Sequence, residues 1–293
     1  MSWLVSRFSV CLICFLVTLA AQDTPIRVQT KLVQVPVSVT ARDGRSIEGL
    51  RAHDFRVLDD GEEREISADV FDSGAARISL VIVVQSSAVP ASALPEIRRL
   101  GSMIQPLVIG RRGEAAVVTF DRKIRWLQDF TRDPRDIQYA FKSVRNGSPI
   151  DARLFDAIAE AVDRLRERDG RKVLLVISGG YDQGSDAVRD DVVDAVTRAG
   201  IEVFGARYSA KLKEPSIISD LAAATGGRDY PYLKERGIEK AIESLGVEVH
   251  SQYILSFPEP RVAEGMHQIS VAVPSRADLQ IRSRQSYWTE EAR

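Results

Sequence analysis

The sequence predicts an α/β protein: a Rossmann-like, doubly wound, mostly parallel sheet inserted in a small antiparallel β domain made from the two ends of the chain. Three observations carry that expectation. Four continuous apolar runs, Ile78 to Val84, Glu114 to Phe120, Lys172 to Ser178 and Ile201 to Tyr208, are rich in β-branched residues, as strands covered on both faces are. Helix-period stretches lie between them, and alternation of β and α at these lengths argues for a doubly wound sheet. Period-two stretches precede and follow this central part.

Taken in order, Val33, Val35, Val37 and Val39 alternate with Gln34, Ser38 and Thr40, the pattern of a half-buried strand. Pro36 lacks an N–H for the ladder and places that strand at a sheet edge. The turn dipeptides Asp43-Gly44 and Asp60-Gly61 each lie between strand-like runs, and the following strands would be Phe55 to Leu58 and Ile66 to Val70. Residues 26–74 therefore read as a small antiparallel β unit. In the central part, Leu94, Ile97, Leu100 and Ile104 share one helix face. So do Leu154, Ile158, Val162 and Leu165, and then Val188, Val192 and Val196. Asp133-Pro134 reads as an N-cap with proline at N1, and Gly170 and Gly200 sit where helices should stop. After a helix bearing Ile238, Ile242 and Leu245, the chain returns to β at Tyr253 to Phe257, Gln268 to Val273 and Leu279 to Arg284. About fifty residues of β alone would bury little core, which favours joining the two end segments. The expected division is 22–76, 77–248 and 249–293.

Residues 1–21 read as a signal peptide, with Arg7 in the charged region, Phe8 to Leu19 apolar, and Ala20-Ala21 at the cleavage site. An uncleaved anchor is the alternative, and the one expected route to a membrane. Cys11 and Cys14 are the only cysteines and lie inside the apolar run. The processed chain would then carry no disulfide and no thiol nucleophile. The expected location is periplasmic or extracellular. A net charge of −1 from 40 basic and 41 acidic residues demands no basic face, so no nucleic-acid partner is expected.

Ser79-Leu80-Val81-Ile82-Val83-Val84-Gln85-Ser86-Ser87 is an apolar strand ending in small hydroxyl residues. It resembles the opening of a von Willebrand factor type A domain, where an Asp-x-Ser-x-Ser loop helps hold Mg²⁺. Leu154-Phe155-Asp156-Ala157-Ile158 is similar to the helix start after that family's second metal loop. Val35 to Thr40, Asp54 to Val57, Ser251 to Leu255 and Arg282 to Tyr287 resemble the β segments of the acidobacterial type of exported, type A-related bacterial proteins. The resemblance implies an interaction module whose metal would be held by two aspartates, two serines and a threonine.

At those positions this chain has Gln85, Ser87 and Val89 in the first loop, Ala152 in the second and Gly179 in the third. Only Ser87 matches. Mg²⁺ needs oxygen ligands in near-octahedral array, with carboxylates to replace its water, so no cofactor is expected. Asp151 and Asp182 are the displaced carboxylates through which Mg²⁺ would bind in the alternative reading. Asp151 itself reads as the N-cap of a helix beginning at Ala152, and Asp182 as a turn residue before Ser185.

Other chemistry finds no pattern. The loop Ser178 to Ser185 is glycine-rich, but it contains neither phosphate-binding motif, and Asp182 and Asp186 would repel an anion. Val176-Ile177-Ser178-Gly179-Gly180 lacks the first glycine of a nucleophile elbow. His53, His250 and His267 are far apart and form no ligand pair. The basic stretch around Arg164 to Lys172 is interleaved with Glu167 and Asp169, as in a solvated helix end. The expected function is non-enzymatic binding of a protein partner. Its face would comprise Gln85, Ser86, Ser87 and Val89, then Asp151, Ala152 and Arg153, then Ser178, Gly179, Gly180, Tyr181 and Asp182. A hydrolase, a nucleotide-binding protein and a purely structural role are the other classes.

Overall fold

Successive side chains of the buried strands point to opposite sides of the sheet, which sorts the central residues onto two helix-covered faces, and this arrangement organises the chain. The computed structural model describes residues 31–70, 77–89, 93–148, 150–208, 216–231, 237–260 and 264–290. The expected signal peptide, 1–21, lies outside them, as do residues 22–30. The elements described belong to one compact unit, Lys31–Arg293.

In chain order the strands are β1 (Leu32–Thr40), β2 (Arg56–Asp59), β3 (Glu62–Glu63), β4 (Ser67–Val70), β5 (Ile78–Gln85), β6 (Glu114–Phe120) and β7 (Ile124–Thr131). They continue as β8 (Arg171–Ser178), β9 (Glu202–Arg207), β10 (Asp229–Pro231), β11 (Tyr253–Pro258), β12 (Gly265–Ala272), β13 (Gln280–Ser283) and β14 (Ser286–Thr289). The α-helices are α1 (Ala93–Ile104), α2 (Pro134–Ser143), α3 (Leu154–Arg166), α4 (Arg189–Arg198), α5 (Ile217–Thr225) and α6 (Gly237–Ser251).

The central sheet runs β10-β9-β8-β5-β6-β7, parallel throughout except for the β6–β7 hairpin. This mixed α/β arrangement, a mostly parallel sheet between helices, is compatible with a von Willebrand factor A-like Rossmann fold. Leu80, Ile82 and Val84 of β5 point to the face covered by α1, α2 and α6. Val81 and Val83 point to the face covered by α3, α4 and α5. In α3 the buried residues Leu154, Ala157, Ile158, Ala161, Val162 and Leu165 form one stripe at helical spacing. Burying its four large side chains stabilises the helix by roughly 6–12 kcal/mol before entropy is counted, far more than propensity differences supply.

β7 was not foreseen. It is an antiparallel edge strand whose side chains are half-buried or exposed, so it carries no continuous apolar run. Val188 also departs from expectation: it is the N-cap of α4 and 59% exposed, while Val192 and Val196 are buried in the core. Asp133 does cap α2, accepting the Arg135 backbone N–H, with Pro134 at N1.

The remaining strands form two four-stranded sheets, β13-β1-β11-β4 and β14-β12-β2-β3. β1 pairs with β11 and β13, β4 with β11, and β2 with β12. Apart from the short β2–β3 ladder, strands of residues 31–70 thus pair with strands from beyond residue 252 and not with one another. Val33, Val35, Val37 and Val39 pack with Phe55, Val57, Tyr253, Leu255, Phe257 and Tyr287 in a single core between the sheets. β1 is therefore internal, against the edge position that Pro36 suggested. The β13 ladder begins only at Val37, so Pro36 has a neighbouring strand on one side alone and its missing N–H breaks no ladder bond to β13. Among the described residues no helix is long and apolar enough to cross a membrane.

Candidate functional site

In an open α/β sheet, ligands bind outside the carboxyl ends of the strands where neighbouring crossovers leave in opposite directions. Here that switch point lies between β5 and β8. The chain leaves β5 toward α1 on one face of the sheet, and leaves β8 toward α4 on the other. The last residues of these strands are Gln85 and Ser178, and both are fully buried.

Gln85 closes the crevice. Its side-chain oxygen accepts from Ser178 Oγ at 2.7 Å and from the Gly179 N–H at 2.9 Å. Its amide nitrogen faces Ser87 O at 3.0 Å, Ser87 Oγ at 3.1 Å and the Tyr181 hydroxyl at 3.1 Å. A primary amide has two donors and one acceptor oxygen, so these contacts use its full capacity. The Tyr181 ring lies over Gly179, where an added Cβ would sit 3.0 Å from ring carbon Cε1. Tyr181 is 42% exposed, and forms the outer lid over the buried amide. Ser86 turns away from the crevice and donates to Phe120 O at 3.1 Å, and Val89 packs into the core with α1.

The second loop joins the third through backbone bonds: Ala152 N–H to Gln183 O at 3.0 Å, and Gln183 N–H to Ala152 O at 2.8 Å. Ala152 is buried, while Ile150, earlier in the same loop, is 63% exposed. Helix α3 begins at Leu154 and not at Ala152, so Asp151 does not cap it. Asp151 instead accepts from Ser148 Oγ at 3.1 Å and lies 3.8 Å from Arg122 Nε. The capping comes from across the loop. Asp182 accepts the Phe155 N–H at 2.9 Å, and Ser185 Oγ accepts the Asp156 N–H at 3.2 Å. Asp182 also accepts from Ser185 Oγ at 2.6 Å. Asp156 in turn accepts the Asp186 and Ala187 N–H groups, and Arg153 bridges Asp156 and Asp186. Those two carboxylates hold the Arg153 guanidinium above its usual range, with the Asp156 hydrogen bond the larger cause.

One carboxylate at this end was missed. Asp121 follows Phe120 at the carboxyl end of β6 and is 1% exposed. Burial by itself would raise its pKa, but the Lys123 and Ser148 N–H groups and the Arg125 guanidinium outweigh it and hold the carboxyl below its usual range. Gly147 passes so close that an added Cβ would sit 1.9 Å from Asp121 Oδ2. An aspartate directly after the run Glu114 to Phe120 was the signal available in the sequence.

These side chains do not fit a hard divalent cation. The five family positions are an amide, a hydroxyl, and the side chains of valine, alanine and glycine, and the amide oxygen already has two donors. Asp151 and Asp182 accept hydrogen bonds elsewhere, and an aspartate at 179 would have to displace the Tyr181 ring. Among the described residues the grouping with ligand atoms within 4.8 Å of one another is Asp59, Asp60 and His267, far away in the β sheets. Its members are already engaged: Asp59 with Arg64 and Tyr287, and His267 with Asp60 at 2.7 Å and Thr289 at 3.1 Å.

No protein-family model matches the chain, and no curated protein matches it. Several solved structures do. Proximal thread matrix protein 1 from the mussel byssus is 16% identical with a TM-score of 0.51, over 64% of this chain and 49% of that one. The conserved hypothetical protein BatB of Bacteroides thetaiotaomicron is 14% identical with a TM-score of 0.46, over 58% and 97%. The vWF domain of the type V pili tip protein Mfa5 from Porphyromonas gingivalis is 16% identical with a TM-score of 0.32, over 36% and 39%. The likeness to the byssus protein is one of fold.

Proposed function

We propose that this chain is an exported, non-enzymatic protein-interaction module of the von Willebrand factor type A kind whose metal site is lost. In this reading the α/β part, residues 77–248, is inserted in a β domain built from residues 22–76 and 249–293. The ladders joining β1 to β11 and β13, and β2 to β12, support that arrangement. The partner is a protein, held at the strand-end face in the periplasm or outside the cell.

One observation carries the proposal: the switch-point crevice is filled by the fully buried Gln85 amide. Around the filled crevice lies a rim, with Tyr181 and Ile150 exposed on loops tied together at Ala152 and Gln183. A tyrosine exposed on a fixed frame is a side chain that protein interfaces use as an anchor. The Ser178 hydroxyl donates to an amide oxygen, which is no base and does not activate it as a nucleophile.

The test is thermal unfolding in EDTA and then in millimolar Mg²⁺, Mn²⁺ or Ca²⁺. A cation at a hundred times its Kd would stabilise the native state by about 2.7 kcal/mol, roughly 5–10 °C for a chain of this size. We expect no such shift, and we expect partner binding to persist in EDTA and to be lost in Tyr181→Ala. A cation shift that disappears in Asp151→Ala or Asp182→Ala would establish metal-dependent adhesion instead.

A further inference from the structure

At the opposite end of the central sheet, a cleft of about 1090 Å³ separates the starts of β8 and β9 from the outer face of the sheet β13-β1-β11-β4. The register builds its floor. Gln34 lies opposite Ser256, Pro36 opposite Ile254, and Ile254 opposite Asp69, so these side chains share the face turned away from the valine core. The wall is formed by the end of α4 and by Trp288, with Arg198 stacked on the indole 3.8 Å from its centre.

The charges in this cleft are not balanced. Lys31 pairs with Glu259 and Glu290, Arg168 with Glu114, and Arg171 with Glu202. Arg77, Lys172, Arg198 and Arg284 make no ion pair among the described residues, against two carboxylates in the same position, Asp69 and Asp169. Lys172 and Arg284 reach only backbone carbonyls, Arg166 O at 2.8 Å and Gly200 O at 3.4 Å. Burial holds both cations below their usual ranges, most strongly, and neighbouring carboxylates offset it in part. A carboxylate brought into the cleft would offset that desolvation penalty by pairing with the cations.

The cleft also contains an open strand flank. β13 covers β1 only from Val37 to Thr40. After Ser283 the chain turns away: Arg284 bridges to Thr225, and β14 pairs with β12. Among the described residues, Leu32–Pro36 are therefore paired on the β11 side alone, and Leu32 is 52% exposed. An unpaired flank of this kind accepts an extended peptide by strand addition.

We infer that this cleft binds an extended acidic segment of a partner protein, which pairs along Leu32–Val35 and places its carboxylates against Arg198, Lys172 and Arg284. A single small anion would leave most of the volume and the apolar floor of Pro36 and Ile254 unused. Guanidinium groups suit carboxylates through paired N–H donors. The site is separate from the strand-end face and does not depend on it.

Fluorescence anisotropy of the purified protein with a labelled peptide of alternating glutamate and valine tests this. The expected result is saturable binding that weakens with salt and falls at least tenfold in the double variant Lys172→Gln, Arg198→Glu, with unchanged unfolding temperature. Arg198 is exposed, so its reversal is compatible with folding. The same peptide with alternate backbone nitrogens methylated should lose binding if strand addition holds it. Equal binding of a lysine–valine peptide, or undiminished binding by the double variant, would overturn the inference. So would binding of anionic lipid vesicles with no binding of the peptide.

Discussion

Replacing Gln85 with alanine removes the group that closes the switch-point crevice, and the cost follows from its contacts. The Gly179 N–H and the Ser178 hydroxyl both lose their acceptor, and Ser87 O loses a donor, all in buried positions. Each buried polar group left unsatisfied costs about 1–3 kcal/mol. Ser178 keeps one partner, since its Oγ still accepts the Gly180 N–H at 3.0 Å. Water entering beneath Tyr181 would recover part of the rest. The expected loss is about 3–5 kcal/mol, or roughly 6–20 °C in unfolding temperature for a chain of this size. Calorimetry gives the temperature, and urea titration separates a change in midpoint from a change in slope. A loss under about 1 kcal/mol would mean that the amide is not what holds β5 to β8 at this end, and the reasoning from a filled crevice would fail. Gln85→Asp makes the complementary point. It places an uncompensated carboxylate in the same buried position and is expected to lower stability without conferring a Mg²⁺ response, because Val89, Ala152 and Gly179 still offer no ligand.

Other perturbations test the frame around this site. Asp182→Ala removes the carboxylate that caps α3 from across the loop, and should cost about 1 kcal/mol, or 2–4 °C, measured by thermal unfolding in EDTA. Gly147→Ala should cost more than an exposed substitution, because its Cβ would meet Asp121 Oδ2 at 1.9 Å and the loop must shift; hydrogen exchange at the Gly147 and Ser148 amides would report that shift. Asp121 has a depressed folded-state pKa, so its contribution to stability is present above the ordinary value of 3.8 and lost as pH falls through the folded value. Asp121→Asn should therefore be less stable than the native chain near neutrality, and the gap should narrow below about pH 4 in parallel unfolding scans. A gap that stays constant with pH would mean that the carboxylate's charge is not what matters there.

The strand at Val33 to Val39 and the four runs of the central sheet were legible because burial on one face or both imposes a residue pattern that needs no partner to be seen. β7 was not, since an edge strand with half-buried side chains has no such pattern. Pro36 misled for a related reason: a proline reports that one N–H is missing, but not that the neighbouring ladder begins one residue later. The capping of α3 was misassigned to Asp151 because proximity in sequence favoured it. The donor–acceptor geometry instead selects Asp182, 27 residues from its partner Phe155.

The sequence by itself determined the alternation of strands and helices and the placement of apolar faces, because each of these depends on residue type and local spacing. Only the tertiary structure decided what occupies the crevice, since Gln85 and Gly179 are 94 positions apart and meet through the parallel register of β5 and β8. The cations of the opposite cleft that have no ion pair among the described residues likewise emerge only from folding. Charge balance is a property of which side chains are brought within a few ångströms of each other, and a net charge of −1 over the whole chain conceals it.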